Sequence, residues 1–329
     1  MRNARIAGWG KYLPQKVLTN RDLATIVDTS DAWIRSRTGI VERRIAAEHD
    51  TASTMGVEAG RQALAVAKLP ASALDLVIAA TVTPETIFPA CASLIQHGLG
   101  AHKAAAFDLN AACSGFVYAL ITAHQFISSG TYENVLVVGS EVYSRILDWS
   151  DRNTCVLFGD GAGAILLQAT DSPITPPGFT MGSDGSGAEL LYVPGLCGIP
   201  TRFSQNGHYV NMNGQEVFKF AVHTMTEATR QAIAAAGLKL PDIDLFIPHQ
   251  ANERIIRAAA KSLRLPKEKV FINVDRYGNT SAASIPIALC EAVEQERVKE
   301  GDHLVLVGFG GGLSWAAMVF QWSTLDRKE

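Results

Sequence analysis

The sequence predicts an α/β protein made of two similar halves, each sending one all-apolar helix into the interior. Three observations lead there. Short apolar runs alternate with helical segments along the chain, the pattern of strand–helix–strand units. The later runs retrace the earlier ones: Asp244 to Pro248 matches Asp75 to Ala79, Lys269 to Asn273 matches Ala104 to Phe107, and His303-Leu-Val-Leu-Val-Gly308 answers Asn134-Val-Leu-Val-Val-Gly139. Finally, Gly115 to Ile127 is too apolar on every side for a surface helix. Such a duplication implies parallel-rich sheets with helices around and between them.

Taken in order, Arg5 to Leu13 reads as a strand, and Thr19-Asn-Arg-Asp22 caps a first helix. Ser30 starts and Gly39 stops a short helix that puts Trp33 and Arg37 four apart on one face. An indole beside a guanidinium can stack on a flat ring and grip a phosphate, although a half-buried Trp with a solvated Arg is the plainer alternative. A helix over Thr54 to Ala67 precedes a buried strand, Leu76 to Thr81. Thr83-Pro-Glu-Thr-Ile-Phe-Pro89 is a loop whose apolar tip, Ile87-Phe88, suits a contact with another subunit. A helix over Cys91 to Leu99, a buried strand over Ala104 to Phe107, and the apolar helix follow. After the strand Asn134 to Gly139, Arg152 precedes the glycine-rich Phe158 to Gly163, and Ala164 to Leu167 closes this half. Three prolines between Thr170 and Gly178 mark the boundary, giving an N-terminal half of residues 1–171 and a C-terminal half of residues 172–329. The second half adds an amphipathic helix within Asn213 to Gly237 and another helix over Ser284 to Val298.

With 329 residues, 47% of them hydrophobic and 19% charged, the chain can bury a sizeable core and is not a disordered one. A net charge of −3 gives no general reason to bind nucleic acid or an anionic membrane. The N-terminus lacks the apolar region of a signal peptide, and no apolar run approaches the roughly 18 residues of a spanning helix. The five cysteines, at 91, 113, 155, 197 and 290, are odd in number and show no C-x-x-C spacing, which argues against a disulfide framework or a zinc site. A reducing, cytoplasmic setting is expected.

The chemistry centres on Asp108-Leu-Asn-Ala-Ala-Cys113-Ser-Gly115, where a strand hands over to the apolar helix. A buried cysteine is ordinarily a small hydrophobe. At a helix N-terminus, however, free N–H groups and the dipole favour an anion, so this thiol is expected to titrate below its usual value of about 8.5. Three stretches of the second half also end strands, where ligands of open α/β sheets gather. They are Pro248-His249-Gln-Ala-Asn252, Tyr277-Gly-Asn279-Thr-Ser-Ala, and Gly308-Phe-Gly-Gly-Gly312. The last leaves backbone N–H groups uncovered, as an oxyanion site requires. Each stretch alone is equally a core histidine, a turn asparagine or a tight turn. The duplication brings the matching strand ends together.

These motifs, with Asp28-Thr-Ser-Asp-Ala-Trp33-Ile and Arg37-Thr-Gly-Ile40, resemble those of the β-ketoacyl-acyl carrier protein synthase III family, and the resemblance covers nearly the whole chain. It implies a thiolase-like five-layer αβαβα fold and a Cys-His-Asn centre of Cys113, His249 and Asn279 in a tunnel for a phosphopantetheine arm. Backbone N–H groups of Cys113 and Gly311 would hold the oxyanion. Trp33, Arg37 and Arg152 would bind the adenine and phosphates of coenzyme A, and Phe218, Asn252 and Arg254 would line the arm's entrance. The family is a homodimer in which the Phe88 loop reaches the partner's acyl pocket. The implied reaction joins an acyl-CoA primer to malonyl-acyl carrier protein with loss of CO2. It starts fatty acid or related polyketide synthesis. No metal or redox cofactor is expected, because both substrates arrive activated as thioesters.

Other readings have their own signatures. Papain-like proteases use Cys, His and Asn in the same order, but their Cys-Gly-Ser-Cys-Trp-like context and secretory signal are absent here. The same scaffold could pass an acyl group from Cys113 to a different acceptor, or bind acyl-CoA without chemistry. Arg254, Arg257, Lys261 and Arg264 fall at helical spacing and read equally as a solvated face or as a dock for an acidic carrier protein. The Thr83 to Phe88 loop lacks the family's common His-Ala-Phe ending. Tyr192 to Asn211 also looks longer than usual, which leaves the primer open.

Overall fold

The computed structural model describes residues 2–195 and 207–323. Its strands are β1 (Asn3–Tyr12), β2 (Lys16–Thr19), β3 (Glu42–Ile45), β4 (Leu76–Ala80), β5 (Ala105–Leu109), β6 (Asn134–Val142), β7 (Asp160–Thr170), β8 (Gly178–Ser183), β9 (Leu191–Tyr192), β10 (Asn211–Met212), β11 (Leu245–Pro248), β12 (His303–Gly310) and β13 (Ser314–Gln321). Its helices are α1 (Asn20–Leu23), α2 (Asp31–Thr38), α3 (Ala52–Ala67), α4 (Cys91–Leu99), α5 (Gly115–Ser128), α6 (Gly214–Ala235), α7 (Glu253–Ser262), α8 (Val274–Tyr277) and α9 (Ser284–Glu294). Side-chain caps fix several starts: Thr19, Ser30 and Thr51 each accept from the backbone N–H three residues on, and Gly39 ends α2 in the left-handed region at φ 78°.

Two sheets carry the fold, ordered β1-β7-β6-β4-β5 and β11-β12-β13-β8. The second repeats the first, because Val270 adds one parallel bridge beside Phe246 where β5 flanks β4. Alternation along each strand sorts the side chains into layers. Leu76, Ile78 and Ala80 of β4, with Leu245, Ile247, Leu304 and Leu306 of the other sheet, pack on α5 and α9 between the sheets. Val77 and Ala79 face α3 and α4 on one outside, and Phe246, Val305 and Val307 face α6 and α7 on the other. The order is therefore helix, sheet, helix, sheet, helix. The central α5 is apolar all round because it has a sheet on each side.

Several expectations change. β5 is an edge strand without a fully buried residue, not a buried one, since only one neighbour pairs with it and Ala105 is exposed. Lys269–Asn273 is not a strand: a 3₁₀ turn at Lys267–Lys269 leaves one bridging residue, Val270. The sheets are mixed rather than parallel-rich. β6 joins β7 without an α-helical crossover, and β12 joins β13 through a three-residue turn, so both pairs must run antiparallel. The structure also adds strands β8 and β13 and the antiparallel β2–β3 pair to the elements expected from the sequence. The helix expected over Ser284 to Val298 ends at Glu294. Residues 196–206 of the Tyr192–Asn211 insertion, Cys197 included, lie outside the described residues.

One close approach sets how the halves meet. A Cβ on Gly139 of β6 would stand 2.5 Å from the Ala282 carbonyl oxygen, in the turn that starts α9. Gly139→Ala is expected to push that turn away and destabilise the protein by about 1–3 kcal/mol, as measured by chemical denaturation.

Candidate active site

Two equivalent turns face each other across the central layer. The first, Ala112–Ser114, follows β5 and opens into α5; the second, Ser281–Ala283, opens into α9. Each begins with a non-glycine residue in the left-handed region, Ala112 at φ 47° and Ser281 at φ 49°. That conformation costs about 1–2 kcal/mol and persists only where its surroundings enforce it. Superposing the turns pairs Cys113 with Ala282 and Asn110 with Asn279. The second half thus keeps the turn without the cysteine.

Asn279 is fixed from three sides. Its Oδ1 accepts from Ser281 N–H at 2.8 Å, its N–H donates to Leu157 O at 2.8 Å, and its carbonyl accepts from Gly159 N–H at 3.0 Å. With Oδ1 occupied, the amide presents its NH2 as the free donor. His249 follows β11, with its N–H on Val307 O at 2.8 Å and its ring edge-on to Phe309 at 5.4 Å. Its Nδ1 lies 2.6 Å from Ser284 Oγ. That oxygen also accepts from Gln250 N–H at 3.3 Å, so the ring is anchored through Nδ1, and a proton on Nε2 is the tautomer in which the Ser284 hydroxyl donates to it. Burial depresses the imidazole to about 3 and keeps it neutral.

Cys113 departs from expectation. Burial pushes its thiol up to about 12, and the nearby Glu141 carboxylate adds to the rise. The Ser281 and Tyr143 hydroxyls and its own N–H favour the thiolate but are outweighed. The cysteine does sit at the helix tip that the sequence implies, but among the described residues no cation is among the groups that shift it.

Cys113, His249 and Asn279 line one cavity of about 380 Å³. Trp33, Arg37, Phe218, Asn252 and Arg254 line the same cavity and are half-buried or exposed, so they form its mouth. The Arg37 and Arg152 guanidiniums lie 6.0 and 5.2 Å from the Trp33 ring centre, and Arg254 lies 5.6 Å from that of Phe218. Arg152 does not line the cavity but is held beside it by the Asp28 carbonyl at 3.1 Å. Asn252 joins two sides of the mouth, donating to Arg37 O at 3.1 Å and accepting from Arg254 N–H at 2.8 Å.

A second cavity, of about 760 Å³, lies on the other side of the Cys113 turn. Asn110, Ala112, Tyr118, Tyr143 and Gly311 line it, and Leu191 borders both spaces. Between them Tyr143 stacks on Phe158 with centroids 4.5 Å apart. Gly311 thus faces the second cavity, while its neighbour Gly310 packs on Cys113: a Cβ there would sit 2.6 Å from Cys113 N. Phe88, 84% exposed, lines neither cavity. Arg257, Lys261 and Arg264 border a separate depression of about 500 Å³ on the outer face, where Arg257 pairs with Glu253 at 2.6 Å. Among the described residues, no cluster of three or more His, Cys, Asp or Glu is placed to hold a metal ion. Sequence reasoning missed Ser281, Ser284, Tyr143 and Glu141. A lone acid ending the apolar run of β6 was the signal available for Glu141.

A duplicated five-layer fold with a cysteine at the tip of one central helix, facing groups from the mirrored turn, defines a thiolase-fold enzyme. The 3-Oxoacyl-[acyl-carrier-protein (ACP)] synthase III family matches residues 107–185, and its C-terminal counterpart matches residues 233–322. The Beta-ketoacyl-[acyl-carrier-protein] synthase III of Roseiflexus sp. (strain RS-1) is 52% identical over 97% of this chain and 98% of its own. That of Symbiobacterium thermophilum is 51% identical over 98% and 99%. The crystal structure of the Aquifex aeolicus VF5 3-oxoacyl-[acyl-carrier-protein] synthase III superposes with a TM-score of 0.92 at 49% identity, covering 97% of this chain and all of that one. The priming β-ketosynthase of the R1128 polyketide pathway superposes with a TM-score of 0.90 at 37% identity, covering 98% and 97%. The chain belongs to the β-ketoacyl-acyl carrier protein synthase III family.

The His249 geometry is directly testable. Nitrogen-15 NMR of histidine-labelled protein should place the proton on Nε2 and show a neutral ring well below the ordinary imidazole value of about 6.5. Ser284→Ala should weaken the Nε2 preference.

Proposed function

We infer that the protein condenses an acyl-CoA primer with malonyl-acyl carrier protein to give a 3-oxoacyl-acyl carrier protein, the step that initiates fatty acid or related polyketide synthesis. The observation that carries this reading is one cavity shared by Cys113, His249 and Asn279, with Trp33, Arg37 and Arg254 at its mouth. Cys113 as thiolate attacks the primer's thioester carbon, and the oxyanion is held by the N–H groups of Cys113 and Gly311, each typically worth about 3 kcal/mol. Coenzyme A leaves as thiolate and takes a proton from solvent. The malonyl thioester then loses CO2, and the electron pair of the broken C–C bond becomes an enolate. Neutral His249 at Nε2 and Asn279 at its NH2 donate to the enolate oxygen. The enolate carbon attacks acyl-Cys113, and Cys113 departs as thiolate.

The residues at the mouth suit coenzyme A. Trp33 between two guanidiniums can take the adenine while Arg37 and Arg152 meet phosphates; Phe218, Asn252 and Arg254 border the pantetheine arm. Residues 1–171 would then carry the nucleophile and residues 172–329 the charge-stabilising pair. The exposed Ile87 and Phe88 support a homodimer in which Phe88 enters the partner's acyl pocket. Four buried free cysteines among the described residues suit a reducing, cytoplasmic setting. No helix among the described residues is long and apolar enough to cross a membrane.

Incubation with labelled acyl-CoA, with and without malonyl-carrier, tests the reading. The expected result is label on Cys113 alone, released as 3-oxoacyl product when malonyl-carrier is added, and none on Cys113→Ala. Release to a different acceptor would mean plain acyl transfer, and no covalent label would mean binding only. Reversing the charges of Arg257 and Lys261 is expected to raise the KM for malonyl-carrier several-fold while sparing acyl-CoA. Unchanged kinetics with both would return that stripe to a solvated face.

A further inference from the structure

If Cys113 is the acylated nucleophile, its thiol proton needs an acceptor in the interior. Burial depresses the His249 imidazole to about 3, so it is a poor proton acceptor, and Arg37 and Arg254 stay at the mouth. The Ser281 and Tyr143 hydroxyls are the side-chain groups that favour the Cys113 thiolate. Ser281 Oγ also donates to Glu141 Oε1 at 3.0 Å. The Glu141 carboxyl is fully buried, and its other oxygen is already taken: Oε2 accepts from Thr83 Oγ1 at 2.6 Å, Val82 N–H at 3.1 Å and Thr81 Oγ1 at 3.3 Å. With three donors on Oε2, Oε1 faces Ser281. Glu141 forms no ion pair among the described residues, and the titratable groups around it are Cys91, Cys113 and Tyr143.

We propose that Ser281 and Glu141 form a proton relay that ionises Cys113. The S–H proton passes to Ser281 Oγ while the Ser281 hydroxyl proton passes to Glu141 Oε1. The negative charge moves from carboxylate to sulfur, and Ser281 ends as a hydroxyl donating to the thiolate. Protons balance over the cycle. Glu141 keeps the proton through acylation, the departing coenzyme A thiolate takes one from solvent, and the Cys113 thiolate expelled by condensation recovers the stored one by the reverse relay. In this relay Ser281 is the group that exchanges a proton with the sulfur, and Glu141 acts through it. Burial lifts Glu141 to about 7, so it can hold or release a proton near neutrality. The Glu141 charge is one cause of the high Cys113 value, and protonating Glu141 removes that cause.

The test measures iodoacetamide alkylation of Cys113 and the burst of labelled acetyl transfer from acetyl-CoA, from mildly acidic to alkaline pH. Both wild-type rates should rise through an inflection near neutrality. Glu141→Gln keeps a hydrogen-bonding amide but cannot take the proton. It should lose the inflection and fall at least about tenfold at neutral pH, recovering in alkali, and acylation should fall far more than malonyl-carrier decarboxylation. A folded Glu141→Gln protein, with unchanged circular dichroism, that keeps both the inflection and a rate within about threefold would overturn the relay. Should that variant not fold, Ser281→Ala decides: the same loss supports the relay and a normal profile overturns it. Wild-type protein that takes no acetyl label at any pH would defeat the condensing reading instead, and the alkylation profile would still judge the relay.

Discussion

The two backbone turns at the centre of the molecule can do their work only because they are allowed to touch. Gly139 lets β6 run under the Ala282 carbonyl, and Gly310 lets the end of β12 pack on the Cys113 amide. Any side chain at either place would force the halves apart. The same contacts set the distance between the cysteine of one turn and the asparagine and histidine supplied by the other half. Left-handed residues at Ala112 and Ser281 sharpen each turn, and strain of that kind is retained where packing leaves the backbone no alternative.

Electrostatically the interior is sparse. Around the cavity the Cys113 thiol, the His249 imidazole and the Asn279 amide are uncharged, while Arg37 and Arg254 stand at its mouth. This arrangement favours donors aimed at charge that appears during reaction over charge stored beforehand. It also explains why the Ser284 hydroxyl matters. A neutral imidazole offers one N–H only, and the Ser284 hydroxyl at Nδ1 helps to set which nitrogen carries it. Glu141 is a buried carboxyl at this site, where donors from two segments, residues 81–83 and Ser281, converge.

Much of this is legible in the chain. Ser30 and Gly39 delimit α2, the bounds Cys91 and Leu99 are those of α4, and the all-apolar run after Cys113 is the buried α5. Local signals suffice there, because caps and periodicity act within a few residues. The duplication brings Cys113, His249 and Asn279 into one cavity. What fails depends on distant neighbours. Whether Ala105–Leu109 is an edge or a centre depends on sheet order, and whether Lys269–Asn273 pairs depends on how far its one bridge extends. A helix tip alone implies a low Cys113 thiol, whereas the deciding facts are burial and a carboxylate from β6. The contact between Glu141 and Ser281 spans 140 positions and has no local trace.

The stacked rings of Tyr143 and Phe158 have a consequence for how such an interior is used. They divide two chambers that border the same turn, one open towards the arginines and one beneath the Leu191 segment. The two spaces are therefore separate compartments on either side of one backbone turn. The width of that partition can be tuned by exchanging one ring, without disturbing either the doorway or the atoms that react.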